Sequence, residues 1–160
     1  MSGVEDRPAN PFQRVGAISN THAGRDFQDA VQRFLASIAL VLEPEFPVPV
    51  GYSVKKSHRF DFGSDAPPVL VECKSFTWTT GGNSPSAKMR GLSEAMLFFS
   101  VAPPQYRKLL VMLRHLRREQ SLASNWLRNH RHLVPPGVEI WELDIDTGEG
   151  HCLLNAAGSQ

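Results

Sequence analysis

Residues 68–75 read PVLVECKS, a run of apolar residues that ends in an acid, a cysteine and a lysine. Side chains alternate across a β-strand, so Glu72 and Lys74 share one face while Val71 and Cys73 share the other. Val69, Leu70 and Val71 lead into this pair without a polar break. Such a continuous apolar run marks a strand covered on both faces, inside a sheet and not at its margin. An acid and a lysine inside that kind of strand need a reason, because burying them is costly. The bland alternative is a solvated ion pair on one face, worth little energetically.

Working outward, residues 52–64 (YSVKKSHRFDFGS) alternate as a strand, with Phe60 and Phe62 expected on one face and Arg59 and Asp61 on the other. A turn from Gly63 to Pro68 joins the two strands as an antiparallel hairpin. Upstream, Phe27, Ala30, Val31, Phe34, Leu35, Ile38, Ala39 and Leu42 recur at helical spacing. They predict a helix from Arg25 to about Glu43, followed by a link broken by Pro44 and Pro47. Downstream, residues 79–86 (TTGGNSPS) form a loop, with Ser84 expected to cap a helix and Pro85 at its first position. That helix ends before Pro103. Residues 107–115 (RKLLVMLRH) predict a covered strand, 119–133 (EQSLASNWLRNHRHL) a second helix, 137–145 (GVEIWELDI) a strand and 150–155 (GHCLLN) a last strand.

This order predicts an α/β domain with a mixed central β-sheet flanked by helices. The crossover from residue 74 to residue 109 makes a right-handed, parallel pair. One domain is expected over residues 21–155, with a flexible arm over 1–20 and a frayed tail over 156–160. The length of 160 residues agrees with a single domain, and 41% hydrophobic with 21% charged residues agrees with a real core. No apolar run approaches the roughly 18 residues of a membrane span, and no secretory signal opens the chain, so no membrane partner is expected. The two cysteines, Cys73 and Cys152, make no disulfide framework; both are expected to be buried thiols, and the cytoplasm is the expected compartment. No Gly-rich phosphate loop with Lys and Ser/Thr occurs, and the histidines lack zinc spacing.

The hairpin brings Asp61 toward Glu72 and Lys74. Two carboxylates without paired cations repel, so the set is expected to bind a metal or a proton. Mg²⁺ suits it: the ion takes oxygen ligands, keeps several waters and is commonly held by one or two carboxylates plus substrate phosphate. The backbone carbonyl of Cys73 offers another oxygen. Lys74 stands where it can position a water.

These residues resemble the PD-(D/E)XK nuclease superfamily, the restriction-endonuclease-like enzymes. The matching pieces are FDFGS with Asp61, then VLVECKS with Glu72 and Lys74, between an N-terminal helix and a helix opened by SPSAK. The resemblance covers residues 24 to 154 and implies an αβββαβ core. It further implies that Asp61 and Glu72 hold Mg²⁺, with Mn²⁺ able to substitute, and that Lys74 is the catalytic lysine of a phosphodiester-cleaving hydrolase. Members often carry a Glu in the first helix after an aromatic residue. Here Gln28 follows Phe27, an auxiliary position, and Asp29 beside it is a candidate further ligand.

A nucleic acid, DNA first, needs cations around such a site. Net charge is only +1, but five arginines face one acid between Arg114 and His132. Lys55, Lys56, Arg59, Lys88, Arg90, Arg117 and Arg118 are the expected phosphate contacts, and Trp78 an exposed ring for stacking. A homodimer or a protein partner could supply specificity. Two rival readings stay open. One is a catalytically silent member of the fold that binds nucleic acid or protein. The other is a plain interaction module with a structural ion pair.

Overall fold

The computed structural model describes residues 17–160, with side chains from residue 23 onward. Most of the expected arm therefore lies outside the described residues, and residues 17–20 belong to the first helix. The elements are α1 (Ala17–Ser37), β1 (Glu43–Val50), β2 (Lys56–Asp65), β3 (Pro68–Lys74), α2 (Ser86–Val101), β4 (Arg107–Leu113), β5 (Leu116–Arg117), β6 (Gln120–Ser121), α3 (Leu122–His130), a 3-10 turn (Arg131–Leu133), β7 (Val138–Leu143) and β8 (Gly150–Leu154). Six strands form one mixed sheet in the order β1-β2-β3-β4-β7-β8. The β3–β4 and β4–β7 pairs are parallel, and the outer pairs are antiparallel. No helix among the described residues is long and apolar enough to cross a membrane.

The core has two halves, one on each face of the sheet. Leu92, Ala95, Met96 and Phe99 of α2 join Ala123, Trp126 and Leu127 of α3 over Leu70, Leu110, Met112 and Ile140. On the other face, Phe27, Val31, Phe34 and Leu35 of α1 cover Val69, Val71, Leu109 and Val111. The central strands β3 and β4 are thus apolar on both sides, as their continuous hydrophobic runs require.

Several elements differ from the sequence expectation, each for a physical reason. α1 stops at Ser37, because Ala39 turns left-handed (φ 64°) and the Leu40 N–H reaches back to the Leu35 carbonyl at 2.8 Å. Leu40 and Leu42 stay buried outside the helix, so they extend its apparent periodicity. The Pro-rich link is β1. It lies at the sheet margin, where a missing N–H is tolerated, and Phe46, Val48 and Val50 turn inward between outward-facing Pro47 and Pro49. At α2, Pro85 holds the N-cap position and no side chain caps the helix, so Ser84 does not cap it. Residues 120–121 pair with 116–117 in a small hairpin, and α3 starts after Ser121, whose hydroxyl accepts the Ser124 N–H at 3.0 Å. Cys152 is exposed on the marginal strand β8, and only Cys73 is buried. The expected frayed tail folds into a turn, with the Asn155 side-chain carbonyl accepting the N–H groups of Ala157 and Ser159.

The departure that shapes the site is in β2. Phe60 packs into the core half under α2, whereas Phe62 packs into the half under α1. Residues two apart on a regular strand share a face, so β2 reverses its facing between them. The β1–β2 ladder pairs Pro44 with Phe62 and Phe46 with Phe60, skipping the level of Glu45 and Asp61. Glu45 takes a left-handed φ of 53° there. Beyond the reversal, Gly63 faces the Phe46 ring so closely that a methyl group would overlap it. Gly63→Ala is therefore expected to destabilise the fold by about 1–3 kcal/mol through overpacking. Denaturant unfolding measures this.

Candidate functional site

Asp61, Glu72 and Lys74 come from the adjacent strands β2 and β3 within the sheet, and Gln28 comes from α1 on one face. Asp61 stands at the reversal of β2. Its Oδ2 accepts the Cys73 N–H at 2.7 Å, and its Oδ1 accepts the Gln28 side-chain amide at 3.1 Å. Glu72 is buried, at 6% exposure, in the middle of a sheet. Its Oε1 lies 3.0 Å from His58 Nε2, and its Oε2 lies 3.7 Å from Lys74 Nζ. The hairpin thus brings Asp61, Glu72 and Lys74 to one place, as their spacing predicts. Gln28 reaches the site from α1, while its neighbour Asp29 is exposed and makes no hydrogen bond to the site.

Burial pushes the Asp61 carboxyl above its ordinary value, against the Cys73 N–H bond and the Lys74 charge; the nearby Glu45 charge pushes it further up. Burial is also the main cause raising Glu72, followed by the Asp61 charge, with His58 and Lys74 opposing. The Cys73 thiol is pushed well up by burial and by the two carboxylates, so it stays protonated and inert. The result is a carboxylate pair, short of positive charge, in a partly dry setting.

A cation relieves such a pair, and the donor set fits Mg²⁺: two carboxylates, with the remaining positions left to water and substrate oxygens. Among the described residues, no group of three or more His, Cys, Asp or Glu side chains is arranged to hold a metal. This argues against a closed, all-protein metal cage. A cleft of about 110 Å³ opens beside the pair, lined by His58, Glu72, Lys74, Gly91, Glu94 and Phe98 among others. A larger concavity of about 570 Å³ between α3 and β8 shares no residue with it. Of the two perturbed carboxyls, Glu72 lines the smaller cleft and neither lines the larger one.

The expected phosphate contacts separate into two sets. Lys56, Lys88, Arg90 and Arg118 are exposed. Lys55 is tied to the Gly51 carbonyl at 2.5 Å and Arg59 to the Glu45 carbonyl at 3.3 Å. Arg117 donates to the Gly82 carbonyl and lies over the Trp78 ring, 5.7 Å from its centroid. Trp78 is half-buried, and its backbone N–H donates to His115 Nδ1 at 3.1 Å. It is a post that fastens the β3–α2 loop to the β5–β6 hairpin, and not the exposed stacking ring that its Thr/Gly surroundings suggest. Arg114 is occupied by Glu142 and Asp144.

Two site residues escape sequence reasoning. Glu94 enters the cleft from α2 with no motif to mark it. His58 reads as part of a basic run, and its contact with Glu72 depends on the facing of β2. Compared with protein-family models, curated proteins and solved structures, the chain matches none.

The raised Glu72 value sets a stability prediction. Its folded value lies above the ordinary 4.5, so the native state holds a proton that the unfolded chain has released, and stability falls as pH rises through that window. Glu72→Gln removes the buried charge. In metal-free buffer the variant should melt a few degrees above wild type at neutral pH, and this gain should vanish below about pH 4. Equal melting temperatures at neutral pH would mean that the carboxylate is not desolvated.

Proposed function

We propose that the chain is a Mg²⁺-dependent nuclease of the PD-(D/E)XK kind that hydrolyses phosphodiester bonds in DNA. One observation carries the reading: Asp61, half-buried, and Glu72, buried, on adjacent antiparallel strands, form a carboxylate pair with raised pKa values, and the Lys74 ammonium stands beside Glu72. The element order α1-β1-β2-β3-α2-β4 supports it, since it is the αβββαβ order that the resemblance implies.

In this reading Asp61 and Glu72 hold the ion, with the Cys73 carbonyl as a further oxygen. Bound Mg²⁺ supplies Lewis-acid polarisation of the phosphate and a water of lowered pKa. Lys74 carries three donors on the same side chain, enough to orient a water and to stabilise charge developing on a phosphate oxygen. Gln28 holds Asp61 by donating to Oδ1, which fixes the carboxylate without adding a third negative charge. The exposed Lys56, Lys88, Arg90 and Arg118 provide cations that a polyanion can meet by releasing its counterions.

Gln28 also favours a second reading, a catalytically silent member of the fold that binds nucleic acid. It donates to an oxygen that a helix glutamate would leave for metal. Cleavage separates the two. Labelled single- and double-stranded DNA, with RNA alongside, is incubated with Mg²⁺ or Mn²⁺ and then with EDTA. The nuclease reading expects metal-dependent cutting that Asp61→Ala and Glu72→Ala abolish and that Lys74→Ala lowers by about 100-fold or more. Salt-sensitive binding without cutting would support the silent binder. Full activity in Asp61→Ala would overturn the site assignment.

A further inference from the structure

His58 lies on β2, three residues before Asp61, and its ring is clamped. Phe98 of α2 stacks on one side at 3.7 Å between centroids and 12° between planes. Phe60 meets it edge-on at 4.7 Å and 86°. A ring held this way cannot tilt, so its nitrogens can bond only within the plane that the aromatic residues define. In that plane Nε2 lies 3.0 Å from Glu72 Oε1. The side chain keeps 23% of its surface exposed and lines the same cleft as Glu72 and Lys74. It therefore stands between the packed core and the open site.

We propose that His58 is a positioning residue, which locks Oε1 of Glu72 by a hydrogen bond from a clamped imidazole and so presents Oε2 to a divalent cation. This rests on the metal-binding reading of the carboxylate pair. Glu72 has three rotatable side-chain bonds, and Lys74, its neighbour on the same face, is 3.7 Å from Oε2, too long for a firm hydrogen bond. His58 is thus the short contact that orients the carboxylate. With Glu72 ionised it accepts, so Nε2 carries the proton and donates. The arrangement parallels Gln28 on Asp61: each carboxylate receives one side-chain donor from outside its own strand, and neither donor brings a carboxylate of its own. Outer partners of this kind are worth about 10–100-fold in metal affinity.

Two variants separate the hydrogen bond from the packing. His58→Phe keeps an aromatic ring between Phe98 and Phe60 and removes the donor. His58→Gln gives up the ring but can place an amide nitrogen near the Nε2 position. The measurement is Mn²⁺ affinity, read from the electron paramagnetic resonance of the free ion, with thermal melting on the same samples; no substrate or activity is needed. The expected result is wild-type binding, about 10–100-fold weaker binding in His58→Phe at a wild-type melting temperature, and recovered affinity in His58→Gln. Undiminished affinity in His58→Phe overturns the positioning role and leaves the nuclease reading standing. Failure of His58→Gln to recover affinity also overturns it, since a donor restored near the Nε2 position would then not orient the carboxylate. If the wild type binds no Mn²⁺, the metal reading and this role fall together.

Discussion

The hydrogen bond from the Cys73 N–H to the Asp61 carboxylate, 2.7 Å long, holds the rest of the site in place. The β2–β3 ladder ends where Phe62 pairs with Val71. Past that point β3 continues alongside β4, matched from Glu72–Leu110 to Lys74–Met112, and has no backbone partner toward β2. An amide left bare in this interior would cost about 1–3 kcal/mol. The carboxylate supplies the missing acceptor, and a charge-assisted bond is among the stronger ones available. The side chain that closes this gap also stands where β2 reverses its facing. Phe60 can then fill one core half and Phe62 the other.

That solution creates an electrostatic debt around the same atoms. Asp61 and Glu72 are both partly dehydrated, and each carboxyl is harder to ionise than in water. Glu45, in a left-handed conformation at the same level, adds a further negative charge near Asp61. Against these stand the Lys74 ammonium, the Cys73 N–H and the neutral donors Gln28 and His58. A fold selected for stability alone would place apolar side chains here, as β3 does at Val69 to Val71. Strain of this sort gathers where a protein has chemistry to perform.

The central strands were legible in the sequence, because a strand buried on both faces must be apolar throughout, and residues 69–71 and 109–112 are. The meeting of Asp61, Glu72 and Lys74 was legible for a related reason: a tight turn between two strands fixes which residues lie at the same level. The facing of Phe60 was not, because FDF alternates perfectly and the reversal comes from a side chain replacing a backbone acceptor. β1 was hidden by its prolines, which forbid a central strand but not a marginal one. His58 was hidden in turn, since its approach to Glu72 follows from the reversal and from Phe98, forty residues away in the chain. Trp78 was misread because its loop composition looks solvent-facing, whereas Arg117 and His115 arrive from a hairpin that no local pattern announces.

The prolines of β1 have a consequence beyond this chain's own folding. A sheet grows by adding strands to a margin whose N–H and C=O groups are unmet, which is also how fibres begin. On the β1 side, Pro44, Pro47 and Pro49 remove donors along most of the margin, so an incoming strand finds an interrupted template. The opposite margin, β8, spans only Gly150 to Leu154 and contains no proline. Edge-to-edge joining of two such sheets is therefore directed to β8, and a pair joined there would present only its two proline-interrupted β1 margins, so the joining would stop instead of propagating.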